Sequence, residues 1–263
     1  MKIIKYLILG FIQGFTEPLP ISSSGHLKLF RHLFNDSVLN DLNFEIIVNL
    51  GSLIAIIFLY RKTIKRIIVD SILYLKTKNI NYKNSFNYLI MIIIGTIPAG
   101  IIGLLVKDII EHYFNIKLVS IALLITSLFL YLVKDKDGYK KEIKIKDAVI
   151  IGLYQAVALI PGISRSGSTI VGCLNQDLEK ETSVNYSFML YIPISIATSI
   201  LGLKDLLTSS NKSLTMPYFI SLIVSCIVTY FSTKLFIKII KEKKLIIFSI
   251  YCLIVGLITF FVI

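Results

Sequence analysis

The sequence predicts an all-α, polytopic integral membrane protein whose two halves form an inverted-topology repeat. Three observations carry that expectation. Of 263 residues, 55% are hydrophobic and only 17% charged, where a soluble domain carries about 25% charged residues. The apolar residues gather in stretches long enough to cross a bilayer. One segment recurs, in register, in the second half of the chain.

Composition also excludes several classes. A disordered chain would show the opposite balance of apolar and charged residues. Cys173, Cys226 and Cys252 are an odd number, with no CxxC or Cys/His ligand spacing, so neither a disulfide scaffold nor a zinc site is expected. The net charge is +12, from 28 Lys and Arg against 16 Asp and Glu. A nucleic-acid groove would gather those cations on one face. Here they lie between apolar stretches, which is how membrane proteins set orientation, and no nucleic-acid partner is expected.

A helix crosses a hydrocarbon core of about 30 Å with roughly 20 residues. Six stretches approach or meet that length: 44–60, 86–106, 117–133, 183–203, 217–237 and 245–263. Basic residues concentrate in three connecting loops. Residues 61–83 hold Arg61, Lys62, Lys65, Arg66, Lys76, Lys78 and Lys83; 134–146 hold Lys134, Lys136, Lys140, Lys141, Lys144 and Lys146; 234–244 hold Lys234, Lys238, Lys241, Lys243 and Lys244. The loops 107–117 and 204–216 are poorer in basic residues. The positive-inside rule places the three basic loops in the cytoplasm, and the assignment alternates across all six spans.

Residues 1–34 and 147–176 do not fit as spans. Each holds an apolar run, a Pro/Gly/Ser break and a second short run. A run of about 12 residues at 1.5 Å rise covers about half the membrane, so each pair reads as a re-entrant helix–loop–helix. Non-helical backbone at that depth must be buried in protein or line a wet cavity. The first run follows Lys2 and Lys5 like a signal peptide, but no small-residue cleavage site follows it.

Sliding the chain so that Gly10 falls on Gly152 aligns residues 10–26 with 152–168 without a gap. Gln13/Gln155, Ile21/Ile163, Ser22/Ser164, Ser24/Ser166 and Gly25/Gly167 are then identical, as are Asn43/Asn185, Ile54/Ile196 and Ala55/Ala197 further on. The chain therefore reads as a single membrane domain, 1–263, of two repeats, about 1–133 and about 145–263, joined by the basic loop 134–146. Each repeat has one re-entrant hairpin and three crossings. An odd number of crossings inverts the second copy, the layout in which interrupted segments of both halves meet near the bilayer midplane. The first hairpin then enters from outside and the second from the cytoplasm, with tips 17–26 and 161–169 facing each other.

The first tip runs Gln13-x-x-x-Glu17-Pro18-Leu19-Pro20-Ile21-Ser22-Ser23-Ser24-Gly25-His26. An ionisable group in the membrane is costly without a partner or a task. Gln13 and Glu17, four apart on one helix face, can offer oxygens to a hard cation such as Mg²⁺ or Ca²⁺; alternatively Glu17 pairs with an Arg or a helix end. One of Ser22, Ser23 and Ser24 is expected to cap the next helix. Ser23 and His26, three apart, can touch as nucleophile and base, or His26 can itself attack; the plainer alternative is a structural histidine. The second tip, Pro161-Gly162-Ile163-Ser164-Arg165-Ser166-Gly167-Ser168-Thr169, combines Gly-rich backbone, hydroxyls and a fixed cation at a helix start. That combination suits phosphate, although Gly and Ser also serve helix packing in membranes. Together the tips point to phosphoryl transfer at lipid-accessible depth.

These two motifs resemble those of the bacterial undecaprenyl-diphosphate phosphatases, also called bacitracin-resistance proteins, and the resemblance covers nearly the whole chain. It implies hydrolysis of the C55 lipid diphosphate to the monophosphate, which recycles the carrier for peptidoglycan and other cell-wall polymers and gives bacitracin resistance. It further implies a divalent cation, Mg²⁺ or Ca²⁺, a multi-pass protein of the bacterial cell membrane, and a site opening to the outer face. Carried over by motif, Glu17, Ser23, His26, Ser164, Arg165 and Thr169 occupy functional positions. Gln13 stands where many members carry Glu and brings no charge, which leaves Glu45 as another carboxylate source or as an interface anchor.

The expected catalytic set is Glu17, Ser23, His26 and Arg165. Ser22, Ser24, Ser164, Arg165, Ser166 and Thr169 are expected to hold the phosphates, and Glu17 with Gln13 the metal. The lipid diphosphate and membrane lipids are the expected partners, with a homodimer left open. The rival class is a transporter or flippase for a phosphate-bearing lipid or solute, because broken helices in inverted repeats are also a transporter plan.

Overall fold

A computed structural model describes residues 2–34, 42–113, 115–208, 215–241 and 244–262. They form ten helices: α1 (Lys2–Thr16), α2 (Ser23–Phe34), α3 (Leu42–Thr77), α4 (Lys83–Tyr113), α5 (Ile116–Leu132), α6 (Ile145–Val157), α7 (Arg165–Asn175), α8 (Lys180–Thr208), α9 (Thr215–Lys241) and α10 (Leu245–Val262). No strand forms among the described residues; Lys140 and Leu178 make one isolated bridge. The all-α expectation holds.

Five helices are long and apolar enough to cross a membrane: α3 over Phe44–Thr77, α4 with the turn before it over Ile80–Val106, α8 over Lys180–Gly202, α9 over Met216–Lys241 and α10 over Leu245–Val262. The stretch expected to supply the remaining crossing is α5, a shorter apolar helix of 17 residues. At 1.5 Å per residue it reaches about 26 Å. Asn115 caps its start, accepting from Leu118 N at 3.0 Å, and the chain leaves the helix at Val133.

The expected loops are shorter than the sequence suggested. Residues 61–77 continue α3, because nothing between Tyr60 and Thr77 breaks a helix: the segment holds neither Gly nor Pro. The helix stops where Lys78 adopts φ 54° and Asn79 caps a short 3₁₀ turn, Ile80–Tyr82. Residues 107–113 likewise continue α4, and α8 runs to Thr208; the rest of the 204–216 loop up to 214 lies outside the described residues. Most of the basic 234–244 segment belongs to α9, with 242–243 also outside the described residues. Only 134–144 keeps loop character, tied to the turn after α7 by Tyr139 and Lys140 N–H donating to Asp177 O.

Two helix pairs are interrupted where the sequence placed them. Between α1 and α2 lie Pro18 and Pro20, and the break ends in Ser22 at φ 68°. Between α6 and α7 lie Pro161 and Gly162, the latter at φ 100°. α1 packs along α9 and α6 along α4; α3 packs on α8 and α9, and α5 on α10. In the last pair Ser127 and Ser249 each donate a hydroxyl to the other's carbonyl at 2.8 Å.

Small residues let these backbones approach, as in membrane packing generally. A Cβ on Gly10 would lie 2.8 Å from Ser221 O of α9, and one on Gly152 would lie 2.6 Å from Gly95 O of α4. Gly152→Ala is therefore expected to destabilise the protein by about 1–3 kcal/mol, the scale of an overpacked core. The check is thermal unfolding in detergent; an unchanged transition would mean that α6 shifts off α4 without cost.

Candidate active site

The start of each second helix is built alike. Ser22 precedes α2 and its Oγ accepts from Gly25 N at 3.3 Å; Ser164 caps α7 and its Oγ accepts from Gly167 N at 3.1 Å. Ser22 and Ser24 hydroxyls lie 3.4 Å apart, those of Ser164 and Ser166 3.3 Å apart. The caps satisfy N–H groups that a helix start leaves without intrahelical partners.

The two tips meet. Ser166 Oγ donates to Leu19 O at 2.9 Å across the gap. A Cβ on Gly25 would lie 3.1 Å from Gly162 Cα, and one on Gly167 would lie 3.4 Å from Pro20 Cβ. Neighbouring helices anchor both breaks. Thr126 of α5 donates to Gly162 O at 3.1 Å and accepts from Ser164 N at 3.1 Å, and Cys252 Sγ of α10 lies 3.9 Å from Pro20 O.

Between the tips sits one carboxylate with three partners. Glu17 Oε1 pairs with Arg165 Nη2, and Glu17 Oε2 accepts from the Ser23 hydroxyl. Gln13 Nε2 donates to the same oxygen at 2.9 Å. The Glu17 and Arg165 side chains are only 8% and 18% exposed, so the ion pair is largely shielded from solvent and gains strength from the low local dielectric. The Arg165 guanidinium lies over the Tyr191 ring, 3.9 Å from its centroid, and the Tyr191 hydroxyl donates to Asn49 Oδ1 at 2.9 Å. A planar cation stacked in this way is held in one orientation.

His26 faces elsewhere. Its Nδ1 lies 2.8 Å from Ser22 O and its Nε2 2.8 Å from the Tyr251 hydroxyl of α10. The expected Ser23–His26 contact is replaced by Ser23–Glu17, because α2 begins at Ser23 and its first turn points that hydroxyl back toward the break. Glu45, weighed as a second carboxylate, is engaged by Arg31 Nη1 at 2.6 Å instead.

Of the expected phosphate ligands, Ser24 and Arg165 are part-exposed, as is Ser23, whereas Ser22, Ser164, Ser166 and Thr169 are buried. Thr169 lies behind the first turn of α7, its Oγ1 2.5 Å from Ser187 Oγ and 3.0 Å from Arg165 O. Among the described residues no three His, Cys, Asp or Glu side chains cluster as metal ligands. Glu17 is the acidic member of the tips, and the Gln13 amide turns its nitrogen, not its oxygen, toward it. That donor set fits a cation held largely by water and substrate oxygens, the usual habit of Mg²⁺.

Sequence reading missed Tyr191, Asn49 and Tyr251. The slide that aligns the repeats places Asn49 on Tyr191, which marked the two positions as counterparts although the residues differ. Nothing distinguished Tyr251 within the apolar run of α10.

Fold and site together define a multi-pass helical membrane protein with a buried centre joining a carboxylate, a guanidinium and a serine hydroxyl. The chain belongs to the bacitracin resistance protein BacA family, whose profile matches residues 6–258. It is 44% identical over 262 residues to undecaprenyl-diphosphatase 1 of Bacillus licheniformis, covering 98% of this chain and 97% of that protein. It is 44% identical over 261 residues to undecaprenyl-diphosphatase 2 of Bacillus thuringiensis, covering 98% and 96%. The undecaprenyl-diphosphatase of Oceanobacillus iheyensis is 41% identical over 260 residues, covering 97% and 94%.

Proposed function

We propose that this chain hydrolyses undecaprenyl diphosphate to undecaprenyl phosphate and inorganic phosphate, returning the lipid carrier to cell-wall polymer synthesis and giving bacitracin resistance. One observation carries the reading beyond the family names: Glu17 is shared between Ser23 of its own tip and Arg165 of the opposite tip. A nucleophile, a proton acceptor and a phosphate-binding cation thus converge where a diphosphate head can enter.

In this mechanism Arg165 and the N-terminal turn of α7 bind the diphosphate, with Ser24 beside them. Ser23 Oγ attacks the terminal phosphorus while its proton passes to Glu17 Oε2. The bond from phosphorus to the bridging oxygen breaks, and undecaprenyl phosphate leaves. Water then cleaves the phosphoserine and releases phosphate. A divalent cation, Mg²⁺ or Ca²⁺, would be held by Glu17, and by the Gln13 oxygen once that amide turns over from donating to Glu17; when bound it neutralises charge on the phosphate oxygens. Ser22, Ser164, Ser166 and Thr169 shape the two helix starts around the bound head.

The reading extends to topology. Residues 1–263 form one membrane domain of two inverted repeats, about 1–133 and 145–263; α1–α2 and α6–α7 are the re-entrant pairs and α5 is the sixth crossing. Exchange of equivalent contacts supports this. Gly25 approaches residue 162 and Gly167 approaches residue 20, its counterpart; Asn49 meets Tyr191, its own counterpart. Reciprocal contacts of this kind are the mark of a two-fold axis. The distribution of Lys and Arg supports a bacterial cell-membrane protein whose site opens to the outer face.

The test is release of inorganic phosphate from undecaprenyl diphosphate, or a shorter prenyl diphosphate, by purified protein in detergent. Release that requires Mg²⁺ or Ca²⁺ is expected. Tight binding of the lipid with no release would favour a transporter or flippase.

A further inference from the structure

Arg165 is the fixed cation between the tips, and Tyr191 of α8 lies against it, 3.9 Å from guanidinium carbon to ring centroid. Stacking covers a face and leaves the edges of the guanidinium plane, where all its N–H groups lie, free to bond. Nη2 is given to Glu17. The remaining N–H groups meet no partner among the described residues, and the side chain is part-exposed. Those are the donors a phosphate can take.

The ring itself is tethered. Tyr191 is buried in the main apolar core. Its hydroxyl hydrogen is shared between Oδ1 of Asn49 at 2.9 Å and the carbonyl oxygen of the same residue at 3.2 Å, which ties α8 to α3. The surface under Arg165 is therefore held by two long helices and by neither tip.

Turnover makes that hold useful. In the resting site Glu17 neutralises the guanidinium. When Glu17 takes the Ser23 proton it loses its charge, and the guanidinium is left to the diphosphate. A neutral aromatic face attracts the cation whichever anion it is paired with.

We infer that Tyr191 is a positioning residue of the phosphatase reaction: its ring, anchored by Asn49, keeps the plane of Arg165 fixed while the guanidinium exchanges Glu17 for the diphosphate. The inference rests on the hydrolase reading given above.

Tyr191→Phe, followed by phenylalanines with increasing numbers of ring fluorines at the same position, keeps the ring and withdraws electron density from its face. For prenyl diphosphate hydrolysis, kcat/KM is expected to fall stepwise, by about 3- to 30-fold across the series, the scale of a shielded cation–π contact. Tyr191→Leu, which has no such face, should lose at least as much. In Arg165→Ala, followed in single turnovers with enzyme in excess, adding Tyr191→Leu should change the rate by less than about twofold, because the cation it serves is gone. The fluorine series decides alone if Tyr191→Leu does not fold. A role in packing only would give a flat fluorine series and an equal loss from Tyr191→Leu in both backgrounds. Either result, with an active wild type, overturns the role of Tyr191 while the hydrolase reading stands. Wild-type protein that binds the lipid and releases no phosphate overturns both.

Discussion

Arg165→Ala is expected to reduce phosphate release by at least about 10²-fold, the scale for removing a positioned donor to developing charge. Two losses combine. The diphosphate loses a fixed, planar cation that pairs with two of its oxygens at once. Glu17 loses its ion-pair partner and stays as a largely buried carboxylate, an arrangement that costs about 3–5 kcal/mol. Arg165→Lys should recover little, because an ammonium cannot stack on Tyr191 or present a bidentate fork. The pair can be separated from the substrate by a double-mutant cycle: Glu17→Gln with Arg165→Ala should fall well short of the sum of the single effects in thermal stability. Additive effects would show that the ion pair is incidental to the fold, and an active Arg165→Ala would remove the clamp from the mechanism.

Ser23→Ala is expected to cost at least about 10²-fold in kcat with little change in KM. The hydroxyl is part-exposed at the tip, and Glu17 keeps Arg165 and Gln13 as partners when it is gone. Folding should therefore be unaffected, and the unfolding transition should match the wild type. The chemical intermediate offers a direct check: acid-quenched turnover of a terminally ³²P-labelled prenyl diphosphate should leave label on the wild-type protein and none on Ser23→Ala. Undiminished turnover in Ser23→Ala would replace the serine with direct attack by water.

The helical class, the two breaks and the meeting of the tips were legible because each depends on local chemistry. Proline and glycine break helices wherever they stand, and Ser22 and Ser164 cap whatever helix follows. The extent of α3 was not legible in the same way. Lysine and arginine between Arg61 and Lys76 read as a solvated loop, yet they are good helix formers, and α3 simply continues until Lys78. The partner of Ser23 was misread for a different reason. Spacing along α2 favoured His26, but Ser23 lies in the first turn, where the chain folds back toward Glu17. Tyr191 and Tyr251 escaped notice because their contacts join positions far apart in sequence. In a run of apolar residues, a tyrosine that holds a charged or titratable side chain looks like one that only fills space.

The slide that places Gly10 on Gly152 also places Ser23 on Arg165 and Glu17 on Leu159. If the halves were separate, identical subunits, each feature on the shared seam would be duplicated, and two carboxylates or two guanidiniums would confront each other. Fusion into one polypeptide removes that constraint. Each half can evolve its own residue at a common position, so a serine hydroxyl and a guanidinium grip the same acid from opposite tips. On the proposed inverted-repeat reading, a nearly two-fold frame thereby holds a centre that is itself asymmetric.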